Sequence, residues 1–358
     1  MTGAVRGSDG AEDRRQCPPP GLTPMGLLGG QLTVVDCCLA LATGALTLLV
    51  SAVVALYLWP LRRRELRGAP AHPLDFAAAT GVAETIMAAE AVDPLVRPES
   101  RSRLLSHGSR TGRAVLLLHG YTHAPDQYDE LAKEFFDRGY NVWIPRAPHH
   151  GTVDRRAHHR VEAGDLTAYA AEALTVAAGL GEEVGVVGIS GGAVLAAWLA
   201  QVRGDVVRRL LLLSPFFRPD PRQAPAFAVK PLTVLYGRRL LPDRVTSRGY
   251  SLSAVTQYLM IARNLPVPPR RTGLLSAAVA ISPLDGVVDP AAAVGVPGGI
   301  ARANGITLGV CTLPESLGVR HDVLALAALG VDGSELRRRY VALYEEEPAP
   351  APTTAAAG

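Results

Sequence analysis

Short apolar runs alternate with longer amphipathic stretches through the central and C-terminal parts of the chain, and this alternation constrains the fold most. Apolar runs of strand length are typical of parallel strands buried on both faces, and amphipathic stretches are typical of the helices that cover them. The pattern therefore predicts an α/β fold with a mostly parallel central sheet and helices on both faces. The predicted strands are 114–118, 141–145, 184–189, 209–213, 277–281 and 306–311, and the predicted helices are 126–138, 165–180, 192–202, 253–264 and 334–344.

Residues 215–275 interrupt this alternation with a long insertion that contains one amphipathic helix and several Pro and Arg clusters. Ligands of open α/β sheets bind beyond the carboxyl ends of the strands. An insertion that leaves one of those ends is well placed to cover such a site. We therefore expect residues 215–275 to act as a lid.

The segment Cys37–Trp59 holds 23 residues without a charge, mostly Leu, Ala and Val. At about 1.5 Å per residue it spans roughly 35 Å, more than a hydrocarbon core of about 30 Å. A signal peptide would have a shorter apolar run and a small-residue cleavage site. A buried core helix is the other alternative, but 23 residues with no polar face argue against it. We therefore predict one transmembrane helix within residues 32–60.

Charges around this segment predict its orientation. No Arg or Lys lies between Gln16 and Asp36, whereas four arginines follow the apolar run at once: Arg62, Arg63, Arg64 and Arg67. The positive-inside rule places the C-terminal part on the cytoplasmic side of a single-pass membrane protein. The expected organisation is a disordered N-terminus (1–31), the transmembrane helix (32–60), a linker with some helix (61–100), the α/β domain (101–347) and a disordered tail (348–358).

Composition argues against two other classes of protein. The formal net charge is only +3, and no basic stripe with interleaved aromatic residues is present, so we expect no nucleic-acid partner. The four cysteines lack metal-ligand spacing and do not suggest a disulfide framework. A metal site is an alternative interpretation of the histidine pairs His149/His150 and His158/His159. Their loop, however, lacks nearby cysteines and a clear set of carboxylates.

The segment Gly188-Ile-Ser190-Gly-Gly192 lies between a predicted strand and a predicted helix. A serine on such a sharp turn needs very small neighbours two residues to either side, because a Cβ there would clash with the backbone. The turn exposes the hydroxyl above the sheet, beside the positive end of the helix. Ser190 is therefore the candidate nucleophile.

Backbone donors for an oxyanion are expected from two turns. Leu116-Leu-Leu-His119-Gly120-Tyr121 places a Gly-containing turn directly after a buried strand. The N–H of Tyr121 can then converge with the N–H of Gly191 on one oxygen, as a tetrahedral intermediate requires. His119 is expected to fix this turn rather than to act as the base.

The acid and the base are expected in the order Ser, Asp, His along the chain. Asp285 follows the predicted strand 277–281, and Asp289, four residues later, stays open as an alternative acid. His321 follows the predicted strand 306–311 and is the last histidine of the chain. The predicted catalytic set is Ser190, His321 and Asp285, with Asp289 as second choice.

Four segments, at residues 116–121, 188–192, 284–289 and 321–323, resemble the corresponding motifs of the α/β-hydrolase superfamily. The resemblance is to its serine carboxylesterases and monoacylglycerol lipases in particular. The resemblance covers residues 110–345. It implies hydrolysis of small-molecule or lipid esters without a metal or organic cofactor, and a lid inserted after the sixth strand. Peptidase or thioesterase activity with the same triad, and a non-catalytic hydrolase-like binding module, remain the alternatives.

Overall fold

The computed structural model describes residues 33–69, 72–247, 249–326, 330 and 332–346. The predictions of disorder for 1–31 and 348–358 lie outside these residues. The chain divides into two compact units, residues 1–51 and 52–358, and helix α1 (Val34–Leu58) crosses the boundary. In the first unit, Thr33 and Asp36 start the helix, because the Asp36 carboxylate accepts from the N–H and the hydroxyl of Thr33.

Helix α1 contains 25 residues, and none of them is buried. Among the described residues it is the one helix long and apolar enough to cross a membrane. A signal sequence near an N-terminus can also form an apolar helix of this kind. The structure therefore agrees with a membrane-spanning helix in length and apolarity.

The second unit is built on a sheet of seven strands among the described residues, in the order β1-β3-β2-β4-β5-β6-β7. The strands are β1 (Arg103–Leu105), β2 (Thr111–Leu118), β3 (Asn141–Ile144), β4 (Gly181–Ile189), β5 (Val207–Leu213), β6 (Ser276–Ile281) and β7 (Leu308–Thr312). Only β1 runs antiparallel to its neighbour. The predicted mostly parallel sheet is confirmed.

Helices cover both faces of the sheet, as predicted. They are α2 (Phe76–Val92), α3 (Asp129–Asp137), α4 (Ala163–Leu180), α5 (Gly191–Val202), α6 (Ala226–Gly237), α7 (Leu252–Ala262), α8 (Pro290–Asn304) and α9 (Ser334–Glu345). The apolar run of β2 shows why both faces need cover. Leu116 and Leu118 belong to a core with α2, α4, α5, α7 and α8, and Val115 and Leu117 belong to a second core with α3 and α9.

Two features of the fold differ from the sequence-based expectation, the start of α3 and the strand that the insertion follows. The helix expected from 126 starts with a 3-10 turn at Pro125–Tyr128, and α3 begins at Asp129. Residues 61–100 include α2, which packs against α4 so closely that a Cβ on Gly179 would meet the Ala79 side chain at 2.5 Å. The insertion follows the fifth described strand rather than the sixth.

Candidate active site

Ser190 lies on the turn between β4 and α5 in a strained backbone conformation. Its φ is +53°, a region that side-chain-bearing residues rarely adopt. The turn is possible because Gly188 and Gly192 lack a Cβ: one on Gly188 would overlap the backbone of Gly192, and one on Gly192 would overlap the carbonyl of Leu118. The Ser190 N–H donates to the Leu213 carbonyl at 2.9 Å, which fixes the turn to the neighbouring strand.

The three predicted side chains meet at the carboxyl edge of the sheet. Ser190 follows β4, Asp285 follows β6 and His321 follows β7. The His321 imidazole lies between the other two, with Nε2 2.8 Å from the Ser190 hydroxyl and Nδ1 2.8 Å from Asp285 Oδ2. A proton on Nδ1 would be donated to the carboxylate, which leaves Nε2 free to accept from the serine hydroxyl.

Backbone hydrogen bonds orient the Asp285 carboxylate toward His321. It is 3 % exposed, and its Oδ1 accepts from the N–H of Val287 at 2.8 Å and of Val288 at 3.3 Å. These bonds use one oxygen and turn the other toward His321.

Asp289 serves a different purpose. Its carboxylate accepts from the N–H groups of Ala291 and Ala292 and so caps the N-terminus of helix α8. It also pairs with Arg218 at 3.1 Å. Its contacts are therefore those of a helix cap, whereas the imidazole of His321 pairs with Asp285.

The backbone N–H groups of Tyr121 and Gly191 belong to residues that line the cavity above Ser190. Neither N–H has a hydrogen-bond partner among the described residues. Gly191 is the first residue of α5, where N–H groups lack intrahelical partners. The arrangement leaves both donors available to an oxygen in the cavity.

His119 holds the loop that carries Tyr121. Its Nε2 accepts from the Ala147 N–H at 2.9 Å, so the proton lies on Nδ1 and is donated to the Gly120 carbonyl at 3.0 Å. This carbonyl belongs to the same peptide unit as the Tyr121 N–H. Burial lowers the pKa of His119 well below its usual value, so the ring stays neutral.

A polar connection missed from the sequence joins this loop to the loop of His321. The Gln127 side chain accepts from the Gly120 N–H at 2.9 Å and donates to Asp322 Oδ2 at 3.0 Å. His123 Nε2 lies 3.2 Å from the same oxygen. Because Asp322 adjoins His321, the connection ties the two loops together across the site.

The paired histidines do not form a metal centre in the described part of the chain. No group of three or more His, Cys, Asp or Glu side chains there could hold a metal ion. The two ring nitrogens of His150 lie 2.8 Å from the Pro148 carbonyl and 2.7 Å from the Tyr121 carbonyl. Burial lowers the pKa of His150 to about 4, although both carbonyls act in the opposite direction.

The side chains of Ser190 and His321 open into a cavity of about 640 Å³. This volume suits a small-molecule ligand. Helices α6 and α7 of the insertion supply much of its apolar wall. The insertion side chains that line it include Val229, Leu232, Tyr236, Val255, Tyr258 and Leu259.

The strand order and the serine on the turn after a central parallel strand identify an α/β-hydrolase fold. A family model described as serine aminopeptidase, S33, matches residues 109–289, about half of the chain, and the chain belongs to this family of α/β-hydrolases. The predicted membership of the superfamily is confirmed. No curated protein matches the chain in sequence.

Several solved structures are similar to this chain. One of the metagenome-derived lipolytic enzymes LipS and LipT has a TM-score of 0.53 and 20% identity, over 69% of this chain and 98% of that chain. The monoacylglycerol lipase of Paleococcus ferrophilus has a TM-score of 0.49 and 15% identity, over 67% and 95%. A monoglyceride lipase of Saccharomyces cerevisiae has a TM-score of 0.47 and 11% identity, over 69% and 92%.

Proposed function

We propose that this protein is a serine hydrolase that cleaves carboxylic esters through an acyl-enzyme on Ser190. The observation that carries the proposal is the His321 imidazole, which contacts the Ser190 hydroxyl and the Asp285 carboxylate at 2.8 Å each. An imidazole between a hydroxyl and a buried carboxylate is the arrangement that activates serine for acyl transfer.

The reaction proceeds in two steps. His321 Nε2 takes the proton of Ser190 as Oγ attacks the ester carbonyl, and Asp285 stabilises the imidazolium that forms. The N–H groups of Tyr121 and Gly191 hold the oxyanion, and losing one such donor would raise the barrier by roughly 3 kcal/mol. His321 then protonates the leaving alcohol and activates the water that releases the acid.

The cavity supports a lipid-like acyl group as substrate. Its walls are largely apolar and aromatic, and residues of α6 and α7 form part of them. An acyl chain would bury its methylene groups there at about 0.8 kcal/mol each. The insertion is thus the lid of the proposed enzyme.

A fluorophosphonate probe tests the proposed nucleophile. The wild-type protein should become covalently labelled, and Ser190→Ala should abolish labelling because no other serine among the described residues is paired with His321. Ser247→Ala is the matched control, since Ser247 lines the same cavity without contacting His321. Equal labelling of wild type and Ser190→Ala would exclude this nucleophile.

A peptidase is the second candidate, because the matching family model describes an aminopeptidase. A substrate with a free α-ammonium group needs a carboxylate in the cavity. Among the described residues that line it, Asp322 is the one carboxylate, and its Oδ2 already accepts from Gln127. Values of kcat/KM for p-nitrophenyl esters, acyl thioesters and aminoacyl anilides separate the activities, and we expect the esters to be preferred. Ligand binding near Ser190 without any acyl transfer would instead indicate a binding module.

Helix α1 is proposed as a membrane anchor with the hydrolase domain on the cytoplasmic side. Its length and apolarity support the anchor, and the arginines after its end support the orientation. The full chain should stay in the membrane pellet after alkaline carbonate washing. A C-terminal tag should be protected from protease in sealed right-side-out vesicles, in which the cytoplasmic face lies inside. Cleavage of the tag without lysis would show that the domain lies on the opposite side.

A further inference from the structure

A second cavity, of about 220 Å³, lies apart from Ser190 and is lined by three arginines. Arg62 and Arg67 belong to the segment that follows helix α1, and Arg270 to the segment that follows helix α7. Apolar residues, including Pro266 and Val267, complete the wall. The volume is below that of sites for drug-sized ligands and suits a smaller group.

The three guanidinium groups have no counter-charge among the residues that the structure describes. None of them makes an ion pair or a side-chain hydrogen bond with another residue that the structure describes, and no described carboxylate lines the cavity. The intervening Arg63, by contrast, pairs with Glu65 at 3.1 Å. Like charges around one cavity repel, so an anion there would be favoured. The planar fork of arginine matches the oxygens of a phosphate group.

The backbone that carries these arginines is fixed to the domain. The Asn264 side chain is 7 % exposed, accepts from the Arg63 N–H at 2.9 Å and donates to the Leu61 carbonyl at 3.0 Å. Trp198 Nε1 donates to the Leu66 carbonyl at 2.7 Å. The Arg270 N–H donates to the side chain of Gln201 at 2.7 Å. These hydrogen bonds therefore fix the backbone on both sides of the cavity.

The position of Arg62 in the chain brings the cavity close to the proposed membrane. Helix α1 ends at Leu58, four residues earlier, and four extended residues span at most about 14 Å. The rim carries Val267, an apolar side chain that is 81 % exposed. Phosphate groups of lipids lie in the layer just outside the hydrocarbon core.

We propose that Arg62, Arg67 and Arg270 bind the phosphate group of an anionic phospholipid. The inference rests on the proposed membrane anchoring by helix α1, but it is independent of the reaction at Ser190. The bound lipid fixes the domain against the membrane surface through a defined site, in addition to the general attraction of basic residues to anionic lipids.

The test uses the full-length protein in nanodiscs that contain phosphatidylcholine and phosphatidylglycerol. After mild detergent extraction, native mass spectrometry counts the phosphatidylglycerol molecules retained on the protein. The wild type should retain phosphatidylglycerol selectively. The triple variant Arg62→Gln/Arg67→Gln/Arg270→Gln should bind it roughly 100-fold more weakly, since each charge-assisted hydrogen bond lost to the phosphate weakens binding by at least about fivefold.

The matched control is Arg64→Gln/Arg155→Gln/Arg271→Gln, which removes the same charge from positions that do not line the cavity. It should retain the lipid like the wild type, and equal loss in both triple variants would overturn the site. Both variants should keep the wild-type Tm. If inorganic phosphate saturated the site in discs of phosphatidylcholine alone, the ligand would be free phosphate, and the proposal of a phospholipid would be wrong. Protein that enters the discs but shows no selective retention overturns this inference alone, and protein that fails to enter them overturns the anchor as well.

Discussion

Asp285→Asn is expected to lower kcat for ester hydrolysis by about 10⁴-fold while leaving the fold intact. The asparagine can still accept one hydrogen bond, but it cannot stabilise an imidazolium. Its amide group can also donate to Nδ1 of His321, which would place the ring proton on Nε2 and remove the base. Steady-state kinetics with a p-nitrophenyl ester measure the effect, and circular dichroism checks the fold.

Asp289→Asn is the matched control, because it makes the same change four residues later. Asparagine caps helices about as well as aspartate, so α8 should keep its start, and the lost pair with the half-exposed Arg218 costs little. The kcat should stay near that of the wild type. A loss in Asp289→Asn as large as in Asp285→Asn would contradict the assignment of the acid.

The sequence alone could not decide between these two carboxylates. Both follow the same strand and precede the same helix, so spacing treats them alike. The difference lies in the turn after β6, where the N–H groups of Val287 and Val288 orient the carboxylate of Asp285, while Asp289 begins α8. Such local hydrogen bonding is not visible in residue order.

Much of the fold was predictable because the central strands are buried on both faces and read as unbroken apolar runs. The elements that were missed lack this signal. Strand β1 has only three residues and lies at the sheet edge, and α6 contains Pro231, which argues against a helix in a sequence pattern. Tertiary packing against α7 overrides that local preference.

The site was predictable in part for a related reason. Ser190, with a glycine two residues to either side, has a local motif, and the order of acid and base along the chain narrows the other candidates. Gln127 and Asp322 have no such motif, since they are separated by 195 positions and interact only because two loops meet above the sheet. Long-range polar contacts of this kind require coordinates.

Gly192→Ala is expected to destabilise the protein by about 3 kcal/mol, or to prevent folding. The added methyl group would overlap the carbonyl of Leu118 and lie 2.5 Å from that of His119, and backbone atoms on a central strand cannot move aside cheaply. The loop that carries Tyr121 would have to shift away from Ser190, so any folded fraction should also lose activity. Thermal unfolding followed by tryptophan fluorescence measures the change in Tm.

Gly164→Ala provides the matched control, because Gly164 is the second residue of α4, as Gly192 is of α5. A Cβ at Gly164 would meet nothing within 4 Å, so alanine should raise the free energy of unfolding by up to about 1 kcal/mol. The two substitutions differ only in what the methyl group meets. Equal Tm values for Gly192→Ala and the wild type would mean that the strand ends of β2 and β4 lie farther apart, and the two backbone donors at Tyr121 and Gly191 could not then converge on one oxygen.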